Sequence, residues 1–240
     1  MRITIVSDNN GQPAGSPGPR QKLETSWGFA CVIEVSGHRI LFDTGSDGPM
    51  LVRNMRALGV EPASIDILVL SHEHWDHVGG IDEFLASGAH PTVYVPGSFS
   101  AELRERLARD VPVVEVSGRT TVGSFASTTG EMGTTIIEQG LVVETGEGVA
   151  VVTGCAHPGI AEMVRAAADG RPIALVVGGF HLKDAGERAI DETISALDAL
   201  GVRRVAPTHC SGEPARVRLA AAFGDRYSGV GVGSVLEVGG

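Results

Sequence analysis

The sequence predicts an α/β layered domain, and two observations predict it. Short apolar runs alternate along the chain with amphipathic stretches that end at a glycine, which is the order of strands and helices in such domains. The length of 240 residues and the hydrophobic fraction of 42% are sufficient for a sizeable core. We therefore expect one domain that covers residues 1–240.

The elements follow in order along the chain. "ACVIEVSGHRILFDTG" predicts a hairpin that turns at Ser36–His38, because two apolar runs flank a Ser-Gly pair. "PMLVRNMRALG" has helical spacing, and "IDILVLSH" is a short apolar run of the kind that buried strands show. "SAELRERLARD" is amphipathic and predicts a helix, and "LVVETGEGVAVVTG" predicts a second hairpin around its Gly-Glu-Gly turn. "IAEMVRAAADG" and "ERAIDETISALDALG" are typical of helices that stop at a glycine, "PARVRLAAAFG" predicts another helix and "SVLEVGG" a last strand.

Charge and apolar runs limit the partners and the compartment. The formal net charge of −10 argues against unaided binding to nucleic acid or to an anionic membrane surface. No apolar run reaches the roughly 20 residues of a membrane helix, and "MRITIVSDNNGQ" lacks the features of a secretory signal. The three cysteines are widely spaced and indicate no disulfide framework, so we expect a cytoplasmic protein. A small-molecule substrate fits these limits, even a phosphorylated one, since a bound metal can reverse the local field.

Histidines and an aspartate follow the ends of five apolar runs. His72 and His74 follow "DILVL", and "GVAVVTG", "RPIALVV" and "GVRRVAP" each precede one further histidine. Sites in open α/β sheets lie at the carboxyl ends of strands, so these side chains can converge at one edge. The five groups are Asp43, the pair His72 and His74, His157, His181 and His209.

The stretch "SHEHWDHVGG" has the spacing of a metal site. His72 and His74 are two apart, so they point to the same side of an extended chain. Asp76 and His77 follow where the chain turns into "VGGIDEFL", the expected start of a helix, and can face a second position beside the first. Imidazole and carboxylate ligands suit zinc, with iron or manganese as alternatives.

The pattern His-x-His-x-Asp-His, with "FDTG" before it and further histidines after it, resembles the metallo-β-lactamase superfamily. "ETSWGFACVIE", "TTGEMG", "EQGLVV", "VTGCAHPGI", "VVGGFHL" and "PTHCSG" are similar to the branch of dihydropterin-ribofuranosylaminobenzene 5'-phosphate synthase-like proteins. The resemblance implies a four-layer αββα sandwich with metals at one edge and a water activated by them as nucleophile. It implies that one metal is held by His72, His74 and His157, that the other is held by Asp76, His77 and His209, and that Asp43 orients a ligand histidine.

The chain departs from the superfamily pattern at "GGFH". Most dinuclear members have a bridging aspartate at this landmark, and here His181 is the candidate occupant, with Asp184 as a weaker one. A neutral imidazole cannot bridge two dications while cancelling charge, so we expect unequal metal affinities and a site that can be mononuclear as isolated. His181 then binds one metal terminally, contacts the substrate or acts as an acid, or packs in the core.

Other residues have more than one interpretation. Cys155 and Cys210 flank ligand histidines and are expected to be packing residues, with metal or redox involvement as the alternative. The Gly/Pro-rich stretch 8–22 is either a mobile surface loop or one that also borders the active site. Trp75 either lines the cleft or packs as a buried aromatic, and His38 and His90 have no expected role. The basic residues that could contact a phosphate are Arg20, Lys22 and Lys183.

The expected function is a metal-dependent hydrolase of an ester-like bond, with phosphoesters favoured, in which Asp76 and His181 act in catalysis. One alternative is the dihydropterin-methyl transfer that the branch name implies, on a ribofuranosylaminobenzene phosphate. Another is a non-catalytic metal-binding protein, for which "GGFH" is the best argument.

Overall fold

The computed structural model of the protein describes residues 1–13 and 23–239, so Arg20 and Lys22 lie outside the described residues. Two β-sheets pack face to face, and helices cover both outer faces. This is the four-layer αββα sandwich that the resemblance implies.

The described residues contain thirteen strands and seven α-helices. The strands are β1 (Arg2–Asp8), β2 (Phe29–Val35), β3 (His38–Phe42), β4 (Ile67–Val69), β5 (Thr92–Pro96), β6 (Val113–Val116), β7 (Thr121–Val122), β8 (Ala126–Thr128), β9 (Leu141–Thr145), β10 (Gly148–Thr153), β11 (Ile173–Gly179), β12 (Val205–Thr208) and β13 (Val235–Glu237). The helices are α1 (Gly48–Ala57), α2 (Trp75–Val78), α3 (Ile81–Ala86), α4 (Ala101–Leu107), α5 (Ile160–Ala168), α6 (Glu187–Ala199) and α7 (Glu213–Phe223).

The strand order places the ends of several parallel strands together. One sheet has the order β13-β1-β2-β3-β4-β5-β6, and the other has the order β12-β11-β10-β9-β8-β7. Strands β3 to β6 run parallel to one another, and β10 to β12 do the same in the second sheet. The segments that follow β3, β4, β10, β11 and β12 are those in which the sequence places the five groups of site residues.

The core has three apolar layers. Phe42 and Val152 belong to the layer between the sheets, which both sheets share. Leu51 and Phe84 bring α1 and α3 onto the outer face of the first sheet, and Met163 brings α5 onto the second. Burial of each such side chain stabilises the fold by about 1.5–3 kcal/mol, so the sandwich is a rigid frame for the loops at its end.

Most of the predicted elements are confirmed. The first hairpin turns at Ser36 and Gly37, which have φ of 50° and 81°, and Val35 pairs with His38. Two positive φ values in a two-residue turn match the right-handed twist of the strands. The helix expected at "VGGIDEFL" is α3, which begins at Ile81, and a separate short helix, α2, contains Asp76 and His77. Within the described ranges, no helix is long and apolar enough to cross a bilayer.

Candidate metal centre

Residues just beyond the strand ends adopt left-handed backbone conformations. Asp43, Ala156, His181 and His209 follow β3, β10, β11 and β12 and have φ of 56°, 62°, 52° and 49°. Such values are uncommon outside glycine and persist where the surrounding structure holds them. Strained backbone at four neighbouring strand ends is typical of a functional site.

The first ligand set consists of His72, His74 and His157. Their candidate ligand atoms all lie within 4.8 Å of one another, and His72 Nε2 is 3.1 Å from His74 Nδ1. His72 is fully buried, whereas His74 and His157 are partly exposed. The set therefore forms a half-open pocket for one cation.

The second ligand set consists of Asp76, His77 and His209, all of which are buried. Asp76 Oδ2 lies 3.4 Å from His209 Nε2 and 3.8 Å from His77 Nε2. The His72 and His77 rings are 4.2 Å apart between centroids, so the two ligand sets adjoin. All six residues come together as the sequence predicts, and their ligation of metal stays a prediction.

Hydrogen bonds at the Nδ1 atoms fix the orientation of the ligand rings. His77 Nδ1 donates to Asp43 Oδ2 at 2.7 Å, and His72 Nδ1 donates to Ser71 Oγ at 2.9 Å. Ser71 Oγ donates in turn to Asp43 Oδ2 at 2.7 Å, so one buried carboxylate orients two rings. An imidazole whose Nδ1 carries the proton has its Nε2 lone pair free for a metal. Asp43 thus lies where the resemblance expects it.

Glu138 and Asn9 orient two of the other three rings, and the sequence analysis missed both. Glu138 is fully buried; its Oε2 accepts from His157 Nδ1 and from the His157 backbone N–H, each at 2.9 Å. Its Oε1 accepts from the backbone N–H groups of Cys155 and Ala156 at 2.9 Å. Asn9 Oδ1 accepts from His209 Nδ1 at 2.8 Å, so the described part of the stretch 8–22 borders the site. A glutamate before the second hairpin, in "EQGLVV", was the available signal.

The donor set fits a divalent cation. His209 Nε2 is buried and has no hydrogen-bond partner among the described residues, although Asp76 lies nearby. An orphaned buried nitrogen is costly unless something else satisfies it. Five imidazoles and one carboxylate, with Nδ1 protons held outward on four rings, match the ligand chemistry of zinc and similar metals.

The protonation states agree with this fit. Burial, followed by the neighbouring charge of His77, lowers the pKa of His72 to about 3, and burial followed by His209 lowers the pKa of His77 to about 3. Both rings are therefore neutral at physiological pH, which is the form that binds metals. Burial opposes ionisation of Asp76, but the adjacent His209 and the charge of His77 still lower its pKa. Burial raises the pKa of Asp43 to about 7 against the opposing effects of His72 and Ser71.

Comparison with known proteins agrees with the fold. The family profile of the beta-lactamase superfamily domain matches residues 38–210. The chain belongs to the beta-lactamase superfamily. The 7,8-dihydropterin-6-methyl-4-(beta-D-ribofuranosyl)-aminobenzene-5'-phosphate synthase of Methanocaldococcus jannaschii is 28% identical over 88% of this chain and 89% of the relative.

Solved structures of superfamily members share the whole fold. The structure of Tm1679, a metal-dependent hydrolase of the beta-lactamase superfamily, matches with a TM-score of 0.81 and 27% identity over 100% of both chains. The metallo-beta-lactamase fold protein YhfI from Bacillus subtilis matches with a TM-score of 0.70 and 17% identity over 98% of this chain and 99% of that one. The second likeness shows the fold alone. The resemblance stated from the sequence is confirmed.

His181, the candidate for the superfamily's fourth landmark, lies at the rim of the candidate centre. Its side chain is exposed, its ring centroid is 4.5 Å from that of His157, and it is within ligand-atom reach of His157 and Cys155. It lines two cavities, one of about 560 Å³ beside His157 and Ile136, and one of about 390 Å³ beside Trp27 and Lys183. A hydrogen bond with Cys210 raises the pKa of His181 against the effect of burial. The core alternative is therefore wrong, and its other two roles stay predictions.

The remaining candidates fall in different places. Trp75 is 64% exposed at the start of α2 and does not pack in the core. Lys183 Nζ lies 4.5 Å from the centre of the Trp27 ring, and the Trp27 ring is 5.1 Å from that of His209. Cys155 and Cys210 are both buried beside the ligand histidines. Asp184 is exposed and belongs to none of the described metal-ligand groups.

Proposed function

We propose that the protein is a metal-dependent hydrolase that acts on an ester-like bond, with a phosphoester as the favoured substrate. The observation that carries the proposal is the pair of adjoining ligand sets, His72–His74–His157 and Asp76–His77–His209, beside cavities open to solvent. The 27% identical structural neighbour, itself a metal-dependent hydrolase, supports it. Zinc, with iron or manganese as alternatives, would polarise the scissile oxygen and lower the pKa of the attacking water.

The protein's own residues bind and orient the substrate around this centre. Asp76 places its carboxylate between His77 and His209, and we assign it the orientation of the attacking water. His181 is exposed between the two cavities, so it can reach a leaving group and donate a proton to it. Lys183, over the Trp27 ring, places a positive charge in the smaller cavity, which favours a phosphate there.

A hydrolysis assay in labelled water tests the proposal. The zinc-loaded protein is incubated with aryl phosphomonoesters, phosphodiesters and carboxylic esters in H₂¹⁸O, and the products are analysed by mass spectrometry. We expect turnover of phosphoesters with one ¹⁸O in the phosphoryl product, and loss of turnover in His72→Ala. No turnover of any ester by the fully metal-loaded protein would contradict the proposal and favour a non-catalytic metal-binding protein.

A second candidate is transfer of a dihydropterin-methyl group from an activated donor, such as its phosphate or diphosphate ester, to a ribofuranosylaminobenzene phosphate, with release of the donor's phosphate or diphosphate. The 28% identical synthase relative, which aligns over 88% of this chain, favours it. The two cavities on either side of His181 could hold two reactants. Binding of a dihydropterin, followed by a coupled product with the aminobenzene partner and no ¹⁸O incorporation, would favour this candidate over the hydrolase. The expected cytoplasmic location and the absence of nucleic-acid and membrane partners stay predictions.

A further inference from the structure

Cys155 Sγ lies at the junction of the two ligand sets. It is 3.2 Å from His77 Nε2, and the residue is only 4% exposed. Three metal-ligand groups of the described residues contain this sulfur: one with His72 and His77, one with His157 and His181, and one with His209 and Cys210. Cys155 therefore reaches members of both sets, which a cysteine that merely packs in a sheet does not.

The candidate centre has fewer anionic ligands than two adjacent dications need to offset their mutual repulsion. Asp76 is the one carboxylate that the described ligand groups contain. Asp43 and Glu138 direct their oxygens at Nδ1 atoms, at the Ser71 hydroxyl and at backbone N–H groups, so they orient ligands and do not face the centre. Two dications close together repel each other, and neutral imidazoles do not offset that repulsion. A thiolate at Cys155 would supply a second anionic ligand.

Cys155 and Cys210 also lie close to the end of strand β11, two residues before His181. Strand β11 ends at Gly179, and a Cβ placed on Gly179 would lie 2.6 Å from Cys210 Sγ and 3.1 Å from Cys155 Cα. It would also clash with the Gly154 carbonyl oxygen. A side chain, carboxylate or otherwise, cannot extend from this position. The Cys210 sulfur and the Cys155 backbone therefore fill the space that a side chain at Gly179 would need.

We propose that Cys155 is a thiolate ligand of the metal centre and supplies the anionic charge that His181 cannot. The inference rests on the metal binding that the proposed function requires. The thiol proton leaves to solvent as the metal–sulfur bond forms. A sulfur ligand favours zinc, iron or cobalt over the oxygen-preferring manganese and magnesium, so it narrows the choice of native metal. A second anionic ligand would also reduce the repulsion between two metal ions, which was the reason to expect a mononuclear site.

Cobalt substitution tests the inference through a signal that is independent of turnover. Protein stripped of metal is loaded with Co²⁺, and its near-ultraviolet absorption is recorded for the wild type and for Cys155→Ser, Cys210→Ser and Cys31→Ser. Cys31 is the matched control, because it is a buried cysteine that belongs to none of the described ligand groups. We expect a thiolate-to-cobalt charge-transfer band in the wild type and in the Cys31 and Cys210 variants. We expect Cys155→Ser to lose the band and to bind metal about tenfold or more weakly.

Other outcomes separate this inference from the proposed function. A wild-type cobalt spectrum with ligand-field bands but no charge-transfer band, or a band that survives in Cys155→Ser, overturns the thiolate ligand and leaves the hydrolase proposal intact. If Cys155→Ser does not fold, zinc-edge X-ray absorption of Cys210→Ser decides the question, because Cys155 is then the one cysteine left in the described ligand groups. A sulfur neighbour at about 2.3 Å supports the ligand, and a shell of nitrogen and oxygen alone overturns it.

Discussion

Replacement of Glu138 by glutamine should weaken both the fold and metal binding. Glu138 is fully buried, and its two oxygens accept four hydrogen bonds of 2.9 Å, from three backbone N–H groups and from His157 Nδ1. Glutamine keeps one acceptor oxygen, which can serve Cys155 and Ala156. Its NH₂ group would face the two donors of His157, and a donor cannot satisfy a donor.

The expected magnitude follows from these contacts. Each buried donor left unsatisfied costs about 1–3 kcal/mol, so two of them should lower the free energy of unfolding by about 2–6 kcal/mol. His157 can relieve the clash at Nδ1 only by moving its proton to Nε2, and that tautomer cannot bind a metal through Nε2. We therefore expect zinc affinity about 10–100-fold below that of the wild type, the range typical of lost ligand-orienting groups.

Two measurements on the purified variant check the prediction: urea unfolding of the metal-free protein, and zinc affinity by chelator competition. Glu131→Gln is the matched control, because Glu131 Oε1 accepts from the Ser98 backbone N–H at 2.7 Å in an exposed setting. That control should lose less than about 1 kcal/mol and no zinc affinity. Wild-type stability and zinc affinity in Glu138→Gln would refute the role of this carboxylate.

Three further predictions concern the same centre. Asp43→Asn removes the charge that orients His77 and should lower zinc affinity about 10–100-fold in chelator competition; unchanged affinity would contradict the network. His181→Ala should retain zinc, as measured by metal analysis, but reduce kcat about 100-fold or more on an ester with a poor leaving group; loss of metal would instead make His181 a ligand. Burial lowers the folded-state pKa of His72 and of His77 to about 3, below about 6.5 for an unfolded histidine. The unfolded state therefore binds more protons between these values, and this contribution to metal-free stability falls as pH falls from about 6.5 to 3; urea midpoints that rise with acidification would show the reverse.

The sequence predicted which candidate ligand side chains lie close together, because these residues follow strand ends. An apolar run that stops at a histidine can be recognised in the amino-acid sequence, and parallel strands bring such ends together. His72, His157 and His209 were found in this way, and all lie in the candidate centre. The hairpin at Ser36 and Gly37 was similarly local, because its two residues determine the turn.

The partners that orient these ligands could not be predicted in the same way. Glu138 precedes β9 and Asn9 follows β1, and each contacts a histidine that is distant in sequence, His157 or His209. No periodic pattern in the sequence predicts that a carboxylate or an amide is buried and hydrogen-bonded to a distant histidine. Cys155 was expected to pack, with metal or redox involvement as the alternative, because a buried cysteine is usually a small apolar packing residue. Its distances to the surrounding rings are what favour the proposed ligand role.

Anomalous diffraction at the zinc edge, from crystals of the zinc-loaded protein, tests the central claim most directly. At saturating zinc, the account predicts two peaks of anomalous density. One lies within about 2.0–2.2 Å of ligand atoms from His72, His74 and His157, and the other lies at the same distance from ligand atoms of Asp76, His77 and His209. Zinc bound elsewhere, or rings that move apart so that no ion contacts three of them, would contradict it.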